Sequence, residues 1–214
     1  MRYPVAQYSE REERAHAISH VVGFGLATIG LALLLFKAWE HVSGWGMVGV
    51  LIYGFSMLMS FATSTLYHHA MDEGKKALLK KWDHISIYFL ISGSYTVLIL
   101  NRLMLAEGYR FLFALWAMTL VGIWFKARYA HRFKVFSTLI YIFMGYIIFF
   151  DPWLFFDVLG KTSVILLLIS GILYTIGAGF YLWKSLRWAH FVWHILVILA
   201  AGLHYGAVYL ELAV

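Results

Sequence analysis

Seven long stretches without an acidic or basic side chain dominate this chain: residues 15–36, 41–71, 84–101, 111–125, 135–150, 162–183 and 188–210. The shortest holds fifteen residues, whereas the longest such stretch elsewhere, 3–9, holds seven. A hydrocarbon core about 30 Å thick is crossed by roughly 20 helical residues. Backbone polar groups in lipid must find their partners within the segment itself. The pattern predicts an all-α membrane protein with seven transmembrane helices. The two shortest stretches, 111–125 and 135–150, are expected to use flanking Tyr, Phe and Trp as interface anchors. Composition agrees: 62% of residues are hydrophobic and 13% charged, against about 25% charged in soluble domains. That excludes a soluble globular enzyme and a disordered chain. With no cysteine, disulfides, thiolate-bound metals and thiol catalysis are excluded as well. Connections of about a dozen residues at most leave room for a single transmembrane domain, 1–214, with a polar tail at 1–14. The first apolar stretch is long and lacks a small-residue cleavage pattern, so it reads as a retained helix.

Orientation follows from Lys and Arg. With the N-terminus in the cytoplasm, the inner segments carry Arg2, Arg11 and Arg14, then Lys75, Lys76, Lys80 and Lys81 in a 72–83 loop. Lys126, Arg128, Arg132 and Lys134 follow in a 126–134 loop, and Lys184 and Arg187 in the last. Outside remain Lys37, Arg102, Arg110 and Lys161, four against thirteen. The expectation is N-terminus in, C-terminus out. G-protein-coupled receptors have the opposite orientation, and a retinal protein needs a lysine within its last helix, where 188–210 has none.

Ionisable groups inside apolar spans are candidates for function, and histidines supply most of them. His68 and His69 close the second span, Asp83 and His84 open the third, and His190 and His194 open the seventh. In the expected topology these three clusters share one membrane depth at the cytoplasmic side. His190 and His194 are four residues apart and share a helix face, as do Ser64 and His68. His68, His190 and His194 would make three imidazole ligands, the number that catalytic zinc sites keep alongside a water. Asp83 and Ser64 would stand by that water. His16 and His20 form a second pair at the same side; His16 is expected nearer to water, and His20 in a supporting role. His84 is a candidate for a pocket hydrogen bond and His204 for one to a neighbouring helix. His69 is expected to face elsewhere, and His41 and His131 fall in loops. Asp83 has a simpler reading as a helix cap, and the Ser and Thr residues of span 2 as packing groups. Tyr67, Tyr88, Tyr95 and Tyr205 are placed in the core, with lining a pocket as the alternative.

The stretches SFATSTLYHH, WDHISIYFLISGSYT and HFVWH resemble the hemolysin III family of small bacterial membrane proteins. That family is related to the progestin and adipoQ receptors and, more distantly, to alkaline ceramidases. The resemblance runs from about Glu13 to about Tyr209. It implies zinc held by His68, His190 and His194, with Ser64 and Asp83 around the water, and Ser60 matching the first serine of the motif. It also implies seven helices with a cytoplasmic N-terminus in a bacterial inner membrane. Imidazoles suit several transition metals, and zinc is the family's choice. Hydrolysis of a lipid amide is implied by relatives, with membrane lipid and not nucleic acid as partner. Two further readings are a non-enzymatic zinc-stabilised membrane sensor and a pore-forming protein. Pore linings carry polar stripes along whole helices, whereas the polar groups here gather at one end.

Overall fold

The computed structural model describes residues 8–42, 44–104, 107–129 and 134–212; Arg2, His131 and Arg132, invoked above, lie outside them. Every regular element among these residues is helical: α1 (Glu10–His41), α2 (Gly44–His69), α3 (Glu73–Leu98), α4 (Tyr109–Tyr129), α5 (Lys134–Gly145), α6 (Pro152–Phe156), α7 (Lys161–Leu182) and α8 (Ala189–Glu211). A π-helical turn, Ile99–Leu103, prolongs α3, and a 3-10 turn, Ile147–Phe150, follows α5. Six of these helices (α1, α2, α3, α4, α7 and α8) are long and apolar enough to cross a membrane.

The fifth apolar stretch differs from its expected continuous helix over 135–150. α5 holds 12 residues, about 18 Å at 1.5 Å per residue, and ends at Gly145. The 3-10 turn carries the end of the stretch, and α6 follows it, with Asp151 capping α6 through the Leu154 N–H.

A second difference concerns α3. Residues 72–83, expected as a loop, form its first three turns. Asp72 caps the helix by accepting from the Lys75 N–H at 2.8 Å, and the Lys-Lys-Ala-Leu-Leu-Lys-Lys run that follows is rich in good helix formers. The cap reading of Asp83 is thereby overturned: Asp83 sits three turns inside the helix. Charge marks where a helix leaves lipid, not where it ends. At α1 the sequence is explicit, since Ser9 and Glu12 close a reciprocal capping box.

The bundle is apolar on both sides. Ile29, Phe36, Phe55, Phe113 and Leu120 project outward, as a lipid-facing surface requires. Inside, Leu34, Val50, Tyr53, Met57, Phe61 and Val208 join α1, α2 and α8 in one cluster. Tyr88, Ile99, Leu115, Met144 and Phe155 join α3 to α6 in another. α2 lies between α1 and α3, and its contact with α3 depends on Gly49, where a Cβ would come within 3.1 Å of the Val97 Cα and 3.3 Å of the Thr96 carbonyl. Such close backbone approach is how membrane helices pack in the absence of a hydrophobic drive between them.

At the bundle end where α8 finishes, one buried ion pair ties three elements. Arg102, in the π turn, lies 3.1 Å from Glu211, which is 4% exposed. The other Glu211 oxygen accepts from the Gly160 N–H at the start of α7 at 2.8 Å. Removing one partner leaves the other charge buried and unpaired, a loss of about 3–5 kcal/mol. Arg102→Ala is therefore expected to lower the melting temperature in detergent sharply, while Arg110→Ala, at an exposed pair, leaves it nearly unchanged.

Candidate metal centre

Five imidazoles converge at the opposite end, where α1 begins, α2 ends and α8 begins. The i, i+4 spacing places His16 and His20 on one face of α1 and His190 and His194 on one face of α8; His68 comes from the last turn of α2. The Nε2 of His190 lies 3.3 Å from the Nε2 of His68 and 3.2 Å from the Nε2 of His194. Two nitrogens held about 2.0–2.1 Å from a tetrahedral ion sit about 3.3 Å apart, so both spacings fit a shared ion. The three histidines singled out by spacing are thus brought together.

The hydrogen-bond network assigns the tautomers. The His68 Nδ1 lies 2.6 Å from the Glu13 carboxylate, an acceptor, so Nδ1 carries the proton and Nε2 a lone pair. The Ser19 hydroxyl donates to the His16 carbonyl at 2.8 Å. With its one proton committed, it accepts from the His194 Nδ1, 3.1 Å away, and the His194 Nε2 is also a lone pair. The His190 Nε2 stands between these two and can donate to only one of them. A cation at the meeting point satisfies all three nitrogens at once. Fixing a ligand ring through its second nitrogen is the usual outer support of a metal site.

His16 departs from its expected place near water. It is 0% exposed, and one nitrogen from each of His16, His68 and His190 lies within 4.8 Å of the others. Both His16 nitrogens and both His20 nitrogens are buried without a hydrogen-bond partner among the described residues. The His20 ring stacks on His194 with centroids 3.8 Å apart. Charge in the tail suggested solvent, but a helix has a wet face and a dry one, and His16 is on the dry one.

Two supporting residues were not legible from motif spacing. Glu13 holds His68 and is itself paired with Lys76 at 2.8 Å. Its spacing from His16 and His20 (i, i+3, i+7) was the available signal, obscured by the acidic tail around it. Tyr8 stacks over His190 with centroids 5.1 Å apart and meets His16 edge-on at 4.9 Å. Burial, with the Glu13 carboxylate adding, pushes its phenol above the ordinary value, so Tyr8 closes this end of the cluster as a neutral ring.

A cavity of roughly 180 Å³ opens from the cluster into the bundle. Ser64, Asp83, His84, His190 and His194 line its near end, and Leu90, Tyr95, Phe155, Leu167, Val197 and His204 line its interior. Ser64 and Asp83 line the same cavity, so the structure gathers at its wall the two residues expected beside the metal. Ser60 lines the same wall. The His84 Nε2 meets the Tyr181 hydroxyl at 3.2 Å, and His204 lines the cavity deeper in the bundle. His69 and His41 are exposed. Tyr67 and Tyr88 are core residues, and the Tyr205 hydroxyl donates to the Gly30 carbonyl at 3.1 Å.

Comparison with known proteins shows the family. Residues 8–205 match the family described as haemolysin-III related. The chain belongs to that family. It is 35% identical over 191 residues to the hemolysin-3 homolog of Bacillus subtilis (strain 168), covering 89% of this chain and 90% of that one. To hemolysin-3 of Bacillus cereus it is 36% identical over 188 residues, covering 88% and 86%. To the human monocyte to macrophage differentiation factor it is 28% identical over 212 residues, covering 92% and 83%. No solved structure matches significantly. The chain is an integral membrane protein, and membership in the family spans all five clustered histidines, Glu13 and Asp83.

Outer carboxylates of this kind typically change metal affinity 10- to 100-fold. Glu13→Gln is expected to weaken retention of a divalent transition metal by about that factor, measured by dialysis against a chelator series. Retention equal to wild type would show that Glu13 serves packing alone.

Proposed function

We propose that this chain is a zinc-dependent hydrolase of a lipid amide or ester in the bacterial inner membrane, with its N-terminus and metal centre at the cytoplasmic side, acting on membrane lipid composition. The observation that carries this reading is the approach of the His190 Nε2 to those of His68 and His194, where His190 and His194 line a cavity together with Asp83 and Ser64. Zinc bound there supplies Lewis-acid polarisation of a carbonyl and lowers the pKa of its water towards about 7.

The remaining work falls to the chain's own residues. Glu13 and Ser19 hold two of the rings in the tautomer that offers Nε2. Tyr8 and the apolar walls exclude bulk water, which strengthens every electrostatic contact inside. The interior, lined by Leu90, Phe155, Leu167 and Val197, accepts an acyl chain and brings the carbonyl to the near end. Asp83 takes the proton of the attacking water and returns it to the leaving nitrogen or oxygen, a role worth about 10²–10⁴-fold. Ser64 stands on the same wall. The excess of Lys and Arg at the metal end supports the cytoplasmic orientation.

A second reading is favoured by one observation: His16 offers a fourth imidazole beside His68 and His190. Structural zinc sites are closed by four protein ligands, and a site closed in that way would tie α1, α2 and α8 together as a lipid-state sensor without turnover. The hemolysin names of the Bacillus relatives suggest a pore. The concentration of polar groups at one end supports that less well.

Metal analysis and lipid turnover on the same preparations separate these readings. His190→Ala is expected to lose both bound zinc and hydrolysis of short-chain lipid amides and esters. Asp83→Asn is expected to keep its zinc and lose at least about a hundredfold in turnover. A His190→Ala protein that retained both would refute the metal centre, and an Asp83→Asn protein unaffected in function would favour the closed structural site.

A further inference from the structure

One imidazole that lines the cavity takes no part in the metal centre. His204 lies on α8 ten positions beyond His194, about 15 Å further along the helix axis at 1.5 Å per residue. An ionisable side chain at that depth in a membrane span is expensive and is a candidate for function before packing. Packing alone would give each buried ring nitrogen a partner. The Ser94 backbone on α3 lies beside the His204 ring, but the His204 Nε2 is buried with no hydrogen-bond partner among the described residues.

Two hydroxyls accompany it. Ser94 and Ser170 also line the cavity, and Ser170 reaches α8 one turn before His204, where it donates to the Ala200 carbonyl at 2.9 Å. The Ser94 hydroxyl donates to the Ile91 carbonyl at 2.8 Å. With their protons committed, both serines offer only lone pairs. Between this group and the metal centre the wall is apolar: Ile87, Leu90 and Ile91 follow one another along α3, and Val197 stands between His194 and His204 on α8. The cavity therefore suits an occupant that is hydrocarbon for most of its length and polar at one point well inside. A hydroxyl both donates and accepts, so it answers the imidazole in either tautomer and the serine lone pairs as well. A carbonyl or ether only accepts, and a charged group has no counter-charge in this lining.

We propose that His204, with Ser94 and Ser170, forms a second polar subsite of the cavity, and that the occupant is an acyl chain carrying a hydroxyl group on its far half. An extended chain advances about 1.2 Å per bond, so 15 Å spans about twelve bonds and sets the hydroxyl near the twelfth carbon. The subsite stands on the cavity lining. The register, with the acyl carbonyl at the imidazoles, rests on the hydrolase reading above.

Titration of the purified full-length protein in detergent tests this, with methyl stearate, methyl 12-hydroxystearate and methyl 2-hydroxystearate as separate probes. Wild type is expected to bind the 12-hydroxy ester at least about fivefold more tightly than either of the others, the worth of answering a buried polar group that is otherwise unpaired. The two hydroxy esters are isomers, so this comparison separates the subsite from any general effect of a hydroxyl and needs no variant. His204→Leu is expected to reduce the 12-hydroxy ester to the affinity of methyl stearate and to leave methyl stearate itself unchanged. Ser170→Ala is expected to diminish the preference. Equal binding of the 12-hydroxy and unsubstituted esters by wild type overturns the proposal, as does a 2-hydroxy ester that binds as tightly as the 12-hydroxy one. An undiminished preference in His204→Leu also overturns it, and so does an equal loss of affinity for all three esters, which assigns His204 to packing. Wild type that holds the preference without hydrolysing any ester refutes the reaction and leaves the subsite standing.

Discussion

Imidazole nitrogens withdrawn from water need a partner, and in this bundle that need organises one whole end. A buried lone pair facing another is unfavourable, and the His190 Nε2 lies 3.3 Å from that of His68 and 3.2 Å from that of His194. The arrangement persists because Glu13 and Ser19 hold the opposite edges of two of the rings. Three helices far apart in sequence are joined through that network. The bilayer makes the cost severe, since lipid offers no alternative partner for a polar group.

The same constraint explains where polar residues are absent and where they recur. Outward surfaces carry Ile29, Phe55, Phe113 and their like, and the mid-bundle interior is filled by two apolar clusters. Charge reappears inside only where it is answered. Glu211 is answered by Arg102 and by the Gly160 N–H, and Glu13 by His68 and Lys76. Lys134, half-buried, donates to the Tyr181 carbonyl at 2.9 Å. The two ends of the bundle thus differ in kind: one is locked by a closed ion pair, and the other is held open around a cavity.

Much of the site was legible before any coordinates. The HxxxH pair on the last crossing, Ser64 one turn from His68, and Asp83 at the same depth all came from spacing and topology, and the structure brings them together. What escaped has a common cause. Counting charge-free runs equates a helix with its apolar part, so the first three turns of α3 read as a loop and Asp83 as a cap. The same habit put Lys126 in a loop and His16 near water, because each has charged neighbours in sequence. Glu13 was passed over as one acidic residue among three. In each case the neighbours along the chain pointed to solvent, while the helix turned the residue itself inward.

The sequence alone determined that the chain is helical, that it is built around seven apolar segments, and that its histidines concentrate at one face of the membrane. These are consequences of local chemistry: charge cannot be left in lipid, and an i, i+4 pair cannot avoid sharing a helix face. Only the tertiary structure decided which imidazoles meet, which nitrogen each presents, that α5 stops short at Gly145, and that Arg102 pairs with Glu211. Those outcomes depend on how helices rotate about their own axes and how closely they approach. That rotation is set by contacts such as Gly49 against Val97, between residues nearly fifty positions apart, and no short window of sequence contains it.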